Sequence, residues 1–207
     1  MAEHVEIQAK FLDEELKPKL DAALAGKGHV FFVDAAHFVL GTFVCCLWSF
    51  TRIFVRAASG RQRFNVLGAW NAVTRQLIAV TNTTVVNSAT MCELLRKIAA
   101  QGLSGPITLV LDNARYQKCL VVQALAETLG IELLYLPSYS PNLNLIERVW
   151  RFVRKESLNS TYYEDFGRFT AAIDGCLDGL QTVHQEEMKT LMTHKFQTFE
   201  NVPLLAA

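Results

Sequence analysis

Apolar and polar residues are patterned along this chain in two distinct ways. Residues 3–25 place leucines and alanines at helical spacing among Glu and Lys, and Gly26 and Gly28 follow, which predicts an amphipathic helix that ends there. Farther on, short and predominantly apolar runs occur at residues 30–33, 107–111 and 131–136. Such runs are typical of strands buried on both faces of a sheet, so the pattern predicts an α/β protein.

More β-rich segments lie between the first two of these runs. Residues 38–50 and 64–73 predict strands, and a turn at 74–76 leads into a further strand at 77–81, as in an antiparallel meander. Amphipathic helices are predicted over residues 89–100 (with Ser88 as N-cap), 116–129, 165–180 and 185–196. A meander followed by strand–helix–strand crossovers indicates a five-stranded mixed sheet flanked by helices.

Length and composition favour one main domain. The chain has 207 residues, 51% of them hydrophobic, so it can bury a substantial core without staples. Its five cysteines lack Cys-x-x-Cys spacing and are expected to be reduced, as in a cytoplasmic protein. The longest apolar run, residues 38–50, is shorter than the ~20 residues of a membrane helix, so no membrane association is expected.

The formal net charge is zero, but the cationic residues are unevenly distributed. Residues 35–92 contain arginines and no Asp or Glu, which gives this stretch a charge of about +5. A local cationic surface suits a polyanion such as DNA, and an ordinary solvated face explains it equally well. The candidate DNA contacts here are Arg52, Arg56, Arg61 and Arg63.

Three acidic residues occupy comparable places in the predicted elements. Asp34 follows the first apolar run, Asp112 follows the second, and Glu147 lies near the start of an amphipathic helix. Taken singly, Asp34 could close an Asx turn and Asp112 could cap the next helix. In the predicted sheet the first and fourth strands are neighbours, and a helix after the fifth strand can lie across their ends. The three acids could therefore converge.

Converging carboxylates repel one another unless a cation lies between them. Their oxygens favour Mg²⁺ or Mn²⁺, and two such ions about 4 Å apart can activate a water molecule or a 3′-hydroxyl group for phosphodiester displacement. We therefore predict a metal-dependent catalytic site with two ions, in which Asp34, Asp112 and Glu147 are the metal ligands and the catalytic residues.

Three motifs carry a resemblance to a known family. They are Phe-Val-Asp-Ala-Ala-His-Phe around Asp34, Leu-Asp-Asn-Ala around Asp112, and Pro-x-Tyr-Ser-Pro-x-x-Asn before Glu147. The second and third acids are separated by 34 residues (147 − 112 − 1 = 34). In these motifs and this spacing, residues 28–158 resemble the mariner-type bacterial insertion-sequence transposases of the DDE recombinase superfamily.

The resemblance implies a ribonuclease H-like catalytic domain at residues 28–158, preceded by an N-terminal helix at 1–27 and followed by a helical extension at 159–207. It implies Mg-dependent DNA cleavage and transfer of the freed 3′-hydroxyl into target DNA, at TA dinucleotides, by a homo-oligomer assembled on DNA. It also implies a helix-turn-helix region that recognises the element's ends. No such region fits before Gly28, so we expect another reading frame to encode it, or the chain to be a fragment.

The chain departs from the usual motifs of this family at a few positions. Leu145 and Ser138 stand where relatives commonly have proline, which should reduce only the preorganisation of the helix start. Residues 115–118, Arg-Tyr-Gln-Lys, lack the histidine that many relatives carry there.

Further candidates surround the three acids. Asn113 and Asn144 are candidates for contacts with the metal ligands or with DNA, and so is His37, although a histidine beside Phe38 is more often structural. On the Glu147 helix, the candidate DNA contacts are Arg148, Arg151, Arg154 and Lys155.

Two other functions fit the same residues. One is a ribonuclease H-like nuclease that hydrolyses DNA without strand transfer. The other is a non-catalytic transposase remnant that acts in DNA binding or oligomerisation, which the intact set of three acids disfavours.

Overall fold

The computed structural model describes residues 2–41, 50–51, 61–138, 140–159 and 161–196. Its strands are β1 (His29–Val39), β2 (Arg63–Asn71), β3 (Leu77–Asn82), β4 (Ile107–Leu111) and β5 (Ile131–Tyr135). Its α-helices are α1 (Ala2–Phe11), α2 (Lys17–Leu24), α3 (Ser88–Ala99), α4 (Leu120–Thr128), α5 (Ile146–Ser157), α6 (Phe166–Gly179) and α7 (Gln185–Leu191).

In the described residues, the strands form one mixed sheet in the order β3-β2-β1-β4-β5. β1, β2 and β3 pair antiparallel, whereas β1, β4 and β5 pair parallel. α4 connects β4 to β5, and α3 connects the meander of β1, β2 and β3 to β4. This arrangement confirms the predicted five-stranded mixed sheet and places the first strand beside the fourth.

Helices cover both faces of the sheet. Alternate residues of β1 point to opposite sides, so Phe32 joins a buried cluster with α5, α6 and the N-terminal helices, while Phe31 joins a second cluster with α3 and α4. We call these sides the α5 face and the α3 face. The result is a three-layer domain in which every strand is sandwiched between helices.

The N-terminal helical segment packs on the α5 face. A π-helical turn, Leu12–Leu16, joins α1 to α2, so the predicted helix over 3–25 is one helical segment with a local irregularity. Lys19 forms an ion pair with Glu132 of β5 at 2.6 Å. One buried cluster includes residues from this segment, the sheet and the C-terminal helices. The division at residues 27 and 158 stays a prediction.

β1 is longer than its apolar run predicts. Asp34 does not close the strand, because β2 pairs with β1 continuously from Phe31 to Val39. Phe38 therefore belongs to β1, which corrects the prediction of a separate strand over residues 38–50. Residues 42–49 of that prediction lie outside the described residues.

Three helix boundaries also differ from the predictions. The N-cap of α3 is Asn87 rather than Ser88, because Asn87 and Thr90 form a reciprocal capping box. α4 begins at Leu120 rather than at 116, since turns occupy the residues before it. α7 ends at Leu191, so the predicted helix over 185–196 is shorter than its pattern.

The described cysteines are free thiols, as predicted. Cys92 and Cys176 are buried and Cys119 is half-buried, whereas Cys45 and Cys46 lie outside the described residues. No helix in the described ranges combines the length and apolar character needed to cross a bilayer.

Candidate active site

One pocket collects the three predicted acids. Asp34, Asp112 and Glu147 come from β1, from the residue after β4 and from the first turn of α5, and all three line a pocket of about 350 Å³. We call it the carboxylate pocket; its other lining residues are Asn113, Leu136, Pro137, Ser138, Ser140 and Asn144. Three acids far apart in sequence thus line one pocket beside the central strands β1 and β4.

Strand register places the two aspartates side by side. β1 and β4 are parallel, and their last paired residues are Val33 and Leu111. Asp34 and Asp112 each come one residue later. Because side chains alternate along a strand, Asp34 points to the α5 face with Phe32, and Asp112 follows the orientation of Val110 on that same face.

The packing of α5 delivers Glu147 to the same place. Ile146, Val149 and Val153 are buried on the α5 face, which leaves Glu147 half-buried at the helix start. Leu145, the residue before the helix, has φ −63°, the value that a proline would impose. Leucine therefore adopts the backbone conformation of the proline it replaces, and its own side chain is buried.

Trp150 connects α5 directly to Asp34. Its indole Nε1 donates a hydrogen bond to Asp34 Oδ2 at 3.0 Å, which occupies one carboxylate oxygen and fixes its orientation. The ring lies over Gly68, which is the β2 partner of Asp34. A Cβ at Gly68 would come within 2.7 Å of the Trp150 ring, so the close approach requires glycine.

The electrostatics of the pocket show uncompensated negative charge. Burial, followed by the negative charge of Glu147 and then of Asp112, raises the pKa of Asp34 from 3.8 to about 7; hydrogen bonds from the Ala35 backbone and from Trp150 oppose this rise. Burial, followed by the charges of Asp112 and Asp34, also raises the pKa of Tyr116 well above its usual range. The carboxylates thus interact with one another and with a nearby phenol.

Two asparagines hold the loops around the pocket. Asn144 Nδ2 donates to the Val33 carbonyl at 3.2 Å, which ties the segment before α5 to β1 directly beside Asp34. Asn113 Nδ2 donates to the Leu136 carbonyl at 2.6 Å, which ties the end of β4 to the end of β5. Among the described residues, Asn144 Oδ1 is buried without a hydrogen-bond partner.

The oxygen donors of the pocket suit a hard divalent cation, but they are not preassembled around one. Within the described parts of the chain, no group of three or more His, Cys, Asp or Glu side chains is arranged so that it could hold a metal ion. The set of three carboxylates with an unpartnered amide oxygen is nevertheless the ligand type that Mg²⁺ and Mn²⁺ prefer.

His37 lies on the other side of the sheet from Asp34. It is exposed at a position that alternates to the α3 face, and its Nδ1 is 2.7 Å from Asn65 Oδ1. Asn65 Nδ2 in turn donates to Asn82 Oδ1 at 2.9 Å. In the structure His37 therefore belongs to a cross-strand hydrogen-bond chain rather than to the group of acids, and its contact with DNA stays a prediction.

The predicted cationic residues have different surroundings. Arg148 donates to the backbone carbonyls of Leu191, Thr193 and Lys195, so it holds the C-terminal segment rather than presenting a free guanidinium. Arg154 lies over the Phe38 ring at 5.5 Å. The other described candidates, Arg61, Arg63, Arg151 and Lys155, are exposed; Arg52 and Arg56 lie outside the described residues.

Sequence periodicity missed Trp150 and Tyr116 as parts of the site. Trp150 falls on the apolar stripe of α5, so its spacing indicates only a core residue. Tyr116 was expected within a helix, whereas it precedes α4 in turns beside Asp112. For Trp150, the sequence offered one indication: the indole N–H is a hydrogen-bond donor that needs a partner when the side chain is buried.

Solved structures share this fold. A pre-cleavage Mos1 transpososome and the Mos1 transposase paired-end complex with left transposon end match with TM-scores of 0.67 and 0.66 at 13% and 14% identity, each covering 96% of this chain and 64% of the Mos1 chain. The Mos1 transposase catalytic domain, solved with raltegravir and Mg, matches with a TM-score of 0.58 at 14% identity over 96% of this chain and 98% of that one. These likenesses confirm the predicted ribonuclease H-like fold.

The sequence itself matches a family model. No curated protein matches the chain significantly. The model described as DDE superfamily endonuclease matches residues 29–170, more than half of the chain, and that range contains Asp34, Asp112 and Glu147. The chain therefore belongs to the DDE superfamily endonucleases and has the fold of a transposase catalytic domain.

Proposed function

We propose that this chain is the catalytic domain of a transposase that cuts DNA strands and joins the freed 3′-hydroxyl to target DNA. The observation that carries the proposal is the carboxylate pocket, in which Asp34, Asp112 and Glu147 from three separate elements line one cavity. Like charges close together destabilise a fold unless a counterion balances them, and a metal ion is the counterion that three carboxylates fit best.

Asp34, Asp112 and Glu147 are the proposed ligands of Mg²⁺ or Mn²⁺, two ions being the number that phosphodiester displacement uses. When bound, such ions would activate a water or 3′-hydroxyl nucleophile and neutralise charge on the leaving oxygen. Trp150 would hold Asp34 Oδ2 and so fix the orientation of this carboxylate at the pocket. Asn144 would hold the start of α5, and with it Glu147, close to Asp34 through its hydrogen bond to the Val33 carbonyl.

The family membership and the neighbours support DNA as the substrate. The Mos1 structures are described as a paired-end complex with a transposon end and as a transpososome, and one other is a strand transfer complex with a TM-score of 0.64. By analogy we propose that this chain acts as a homo-oligomer on DNA, together with a helix-turn-helix region that recognises the element's ends and with TA dinucleotides as targets. The chain spans 64% of the Mos1 chains, which leaves room in them for further regions.

A joining assay tests the proposal. Purified protein would be incubated with Mg²⁺ or Mn²⁺, a supercoiled plasmid and a labelled duplex with a free 3′-hydroxyl. We expect plasmid nicking and covalent transfer of the label, with insertions enriched at TA. Glu147→Gln should abolish both, whereas Glu127→Gln, which removes an exposed carboxylate on α4, should leave both intact.

The outcomes separate the alternatives. Metal-dependent nicking without transfer of label would assign a hydrolytic nuclease. Absence of both activities, together with absence of metal binding by calorimetry, would assign a DNA-binding or oligomerisation module and would refute the catalytic proposal.

A further inference from the structure

A second, larger groove adjoins the carboxylate pocket. It has a volume of about 630 Å³ and shares Asn144 and Glu147 with that pocket. One wall is α5, and the other is the segment 190–196 at the end of α7 and beyond. A ligand lying in this groove would therefore lead directly to Glu147.

Arg148 builds the second wall. Its Nη1 donates to the carbonyls of Leu191 at 3.0 Å and Thr193 at 2.8 Å, and its Nη2 donates to the carbonyl of Lys195 at 2.7 Å. Charge-assisted bonds to the carbonyls of three alternate residues hold this irregular segment against α5. Lys195 is thereby held on the wall that faces Arg151.

The groove has a surplus of positive charge. Arg151 and Lys195 form no ion pair with any described carboxylate, and the Lys155 pair with Glu156 is exposed, at 3.6 Å. Arg148, Arg151 and Lys195 all line this one groove, and an anionic ligand would balance their charges.

Aromatic and apolar surface completes the lining. Phe196 is half-buried, with its ring 6.2 Å from that of Phe32, and it lines the groove together with Phe152 and Leu191. Cationic side chains that follow a backbone, together with aromatic rings on which bases stack, are the combination found in grooves for single-stranded nucleic acid.

We propose that this groove binds a single DNA strand and guides its backbone to the carboxylate pocket, with Arg151 and Lys195 contacting phosphates and Phe196 contacting bases. The proposal rests on the proposed function, since it names how that site holds its substrate. From Glu147 to Lys155 the helix rises about 12 Å. A strand of duplex DNA rises 3.4 Å per phosphate and an extended single strand rises more, so this length spans at most roughly three to four nucleotides.

Binding without catalysis tests the proposal. Fluorescence anisotropy of labelled oligothymidylate and of a random duplex would be measured with the full chain in EDTA, over a range of salt concentrations. Arg151→Gln combined with Lys195→Gln should weaken single-strand binding roughly tenfold and reduce the slope of log K against log salt by about 1.4, at 0.7 per contact. Duplex binding should change less.

The matched control removes one Arg and one Lys elsewhere. Arg96→Gln combined with Lys27→Gln alters exposed side chains on α3 and after α2, away from the groove, and should leave single-strand binding unchanged. Arg151→Lys combined with Lys195→Arg keeps both charges and should restore the salt slope. Thermal melts would verify that all variants are folded.

Three results would overturn the inference: unchanged single-strand binding by the groove variant, an equal loss in the control variant, or an equal loss of duplex binding. Because the assay contains no metal ion, its outcome is independent of catalysis. If the Arg151→Gln, Lys195→Gln variant binds single strands as well as the wild type does, and the wild type still joins DNA, this inference alone is refuted. Groove-dependent binding without any metal-dependent cleavage would refute the proposed function instead.

Discussion

Asp34 and His37 lie three residues apart on β1, yet they belong to opposite faces of the sheet and to different kinds of polar cluster. On the α3 face, His37, Asn65 and Asn82 form a hydrogen-bond chain that satisfies the fully buried Asn65. On the α5 face, Asp34 lies near two further carboxylates, and its pKa is raised to about 7.

The two clusters differ in whether the protein itself balances their polar groups. In the α3-face chain, the amides and the histidine pair donors with acceptors, so the chain contributes to stability. The carboxylates of the α5-face cluster repel one another unless a cation lies between them, so this cluster lowers the stability of the metal-free protein. A buried polar cluster that the fold leaves unbalanced is the better candidate for chemistry.

The largest expected effect follows from removing one charge on the α5 face. Asp112→Asn should reduce metal-dependent cleavage to background, roughly a thousandfold or more. The melting temperature of the metal-free protein should not fall, because the substitution relieves repulsion with Asp34. Asp21→Asn, on exposed α2, should change neither quantity. Retained cleavage by Asp112→Asn would rule out the assigned ligand.

The second effect is a pH dependence of stability in the metal-free protein. The pKa of Asp34 is higher in the folded state, about 7, than its ordinary value of 3.8, so the folded state binds more protons between these values. Stability should therefore be greatest below about pH 4 for this group and should fall as pH rises through about 7, by at most roughly 4 kcal/mol.

Urea unfolding in EDTA at several pH values measures this effect, and Asp34→Asn isolates it. The difference in unfolding free energy between wild type and Asp34→Asn should change steadily between about pH 4 and pH 7. A difference that stays constant across that range would show that the pKa of Asp34 is not raised in the folded protein.

The third effect concerns the hydrogen bond that links α5 to Asp34. Trp150→Phe removes the indole donor, and we expect activity to fall about 10- to 100-fold, as for loss of a partner that orients a metal ligand. Trp70→Phe is the control, because Trp70 is also buried on the α5 face but its Nε1 has no partner among the described residues.

Both variants lose a similar volume, so a comparison of the two isolates the hydrogen bond. Trp70→Phe should lower the melting temperature without a specific loss of metal-dependent activity. Equal activity losses in the two variants would contradict a positioning role for Trp150, and isothermal titration with Mn²⁺ would show whether ion affinity changes with it.

The smallest effect is expected on the α3 face. His37→Ala leaves Asn65 Oδ1 without its ring partner, which should cost about 1–2 kcal/mol of unfolding free energy. Metal binding and cleavage should be unchanged, because His37 lies across the sheet from the acids. A large loss of cleavage without loss of stability would show that His37 acts in catalysis after all.

Local patterns predicted the strands and helices well wherever one periodicity ran through an element. The run at Ile107–Leu111 is a strand whose residues are all buried, the run that begins at Ile131 is a strand with one exposed residue, and the α5 stripe predicted that helix. Prediction failed where pairing with another segment decided the outcome. β1 continues past Asp34 because β2 supplies partners for it, and no local signal reports this.

The sequence by itself determined the identity and order of the three acids, the motifs around them and the strand–helix alternation that brings them together. Tertiary structure alone decided which polar residues share a face, because a strand sends its side chains alternately to either side and only the register with β2, β4 and α5 defines their neighbours. It separated His37 from Asp34, gave Trp150 a carboxylate partner and assigned Arg148 to the C-terminal wall. Each of these depends on contacts between residues distant in sequence, which a local pattern does not contain.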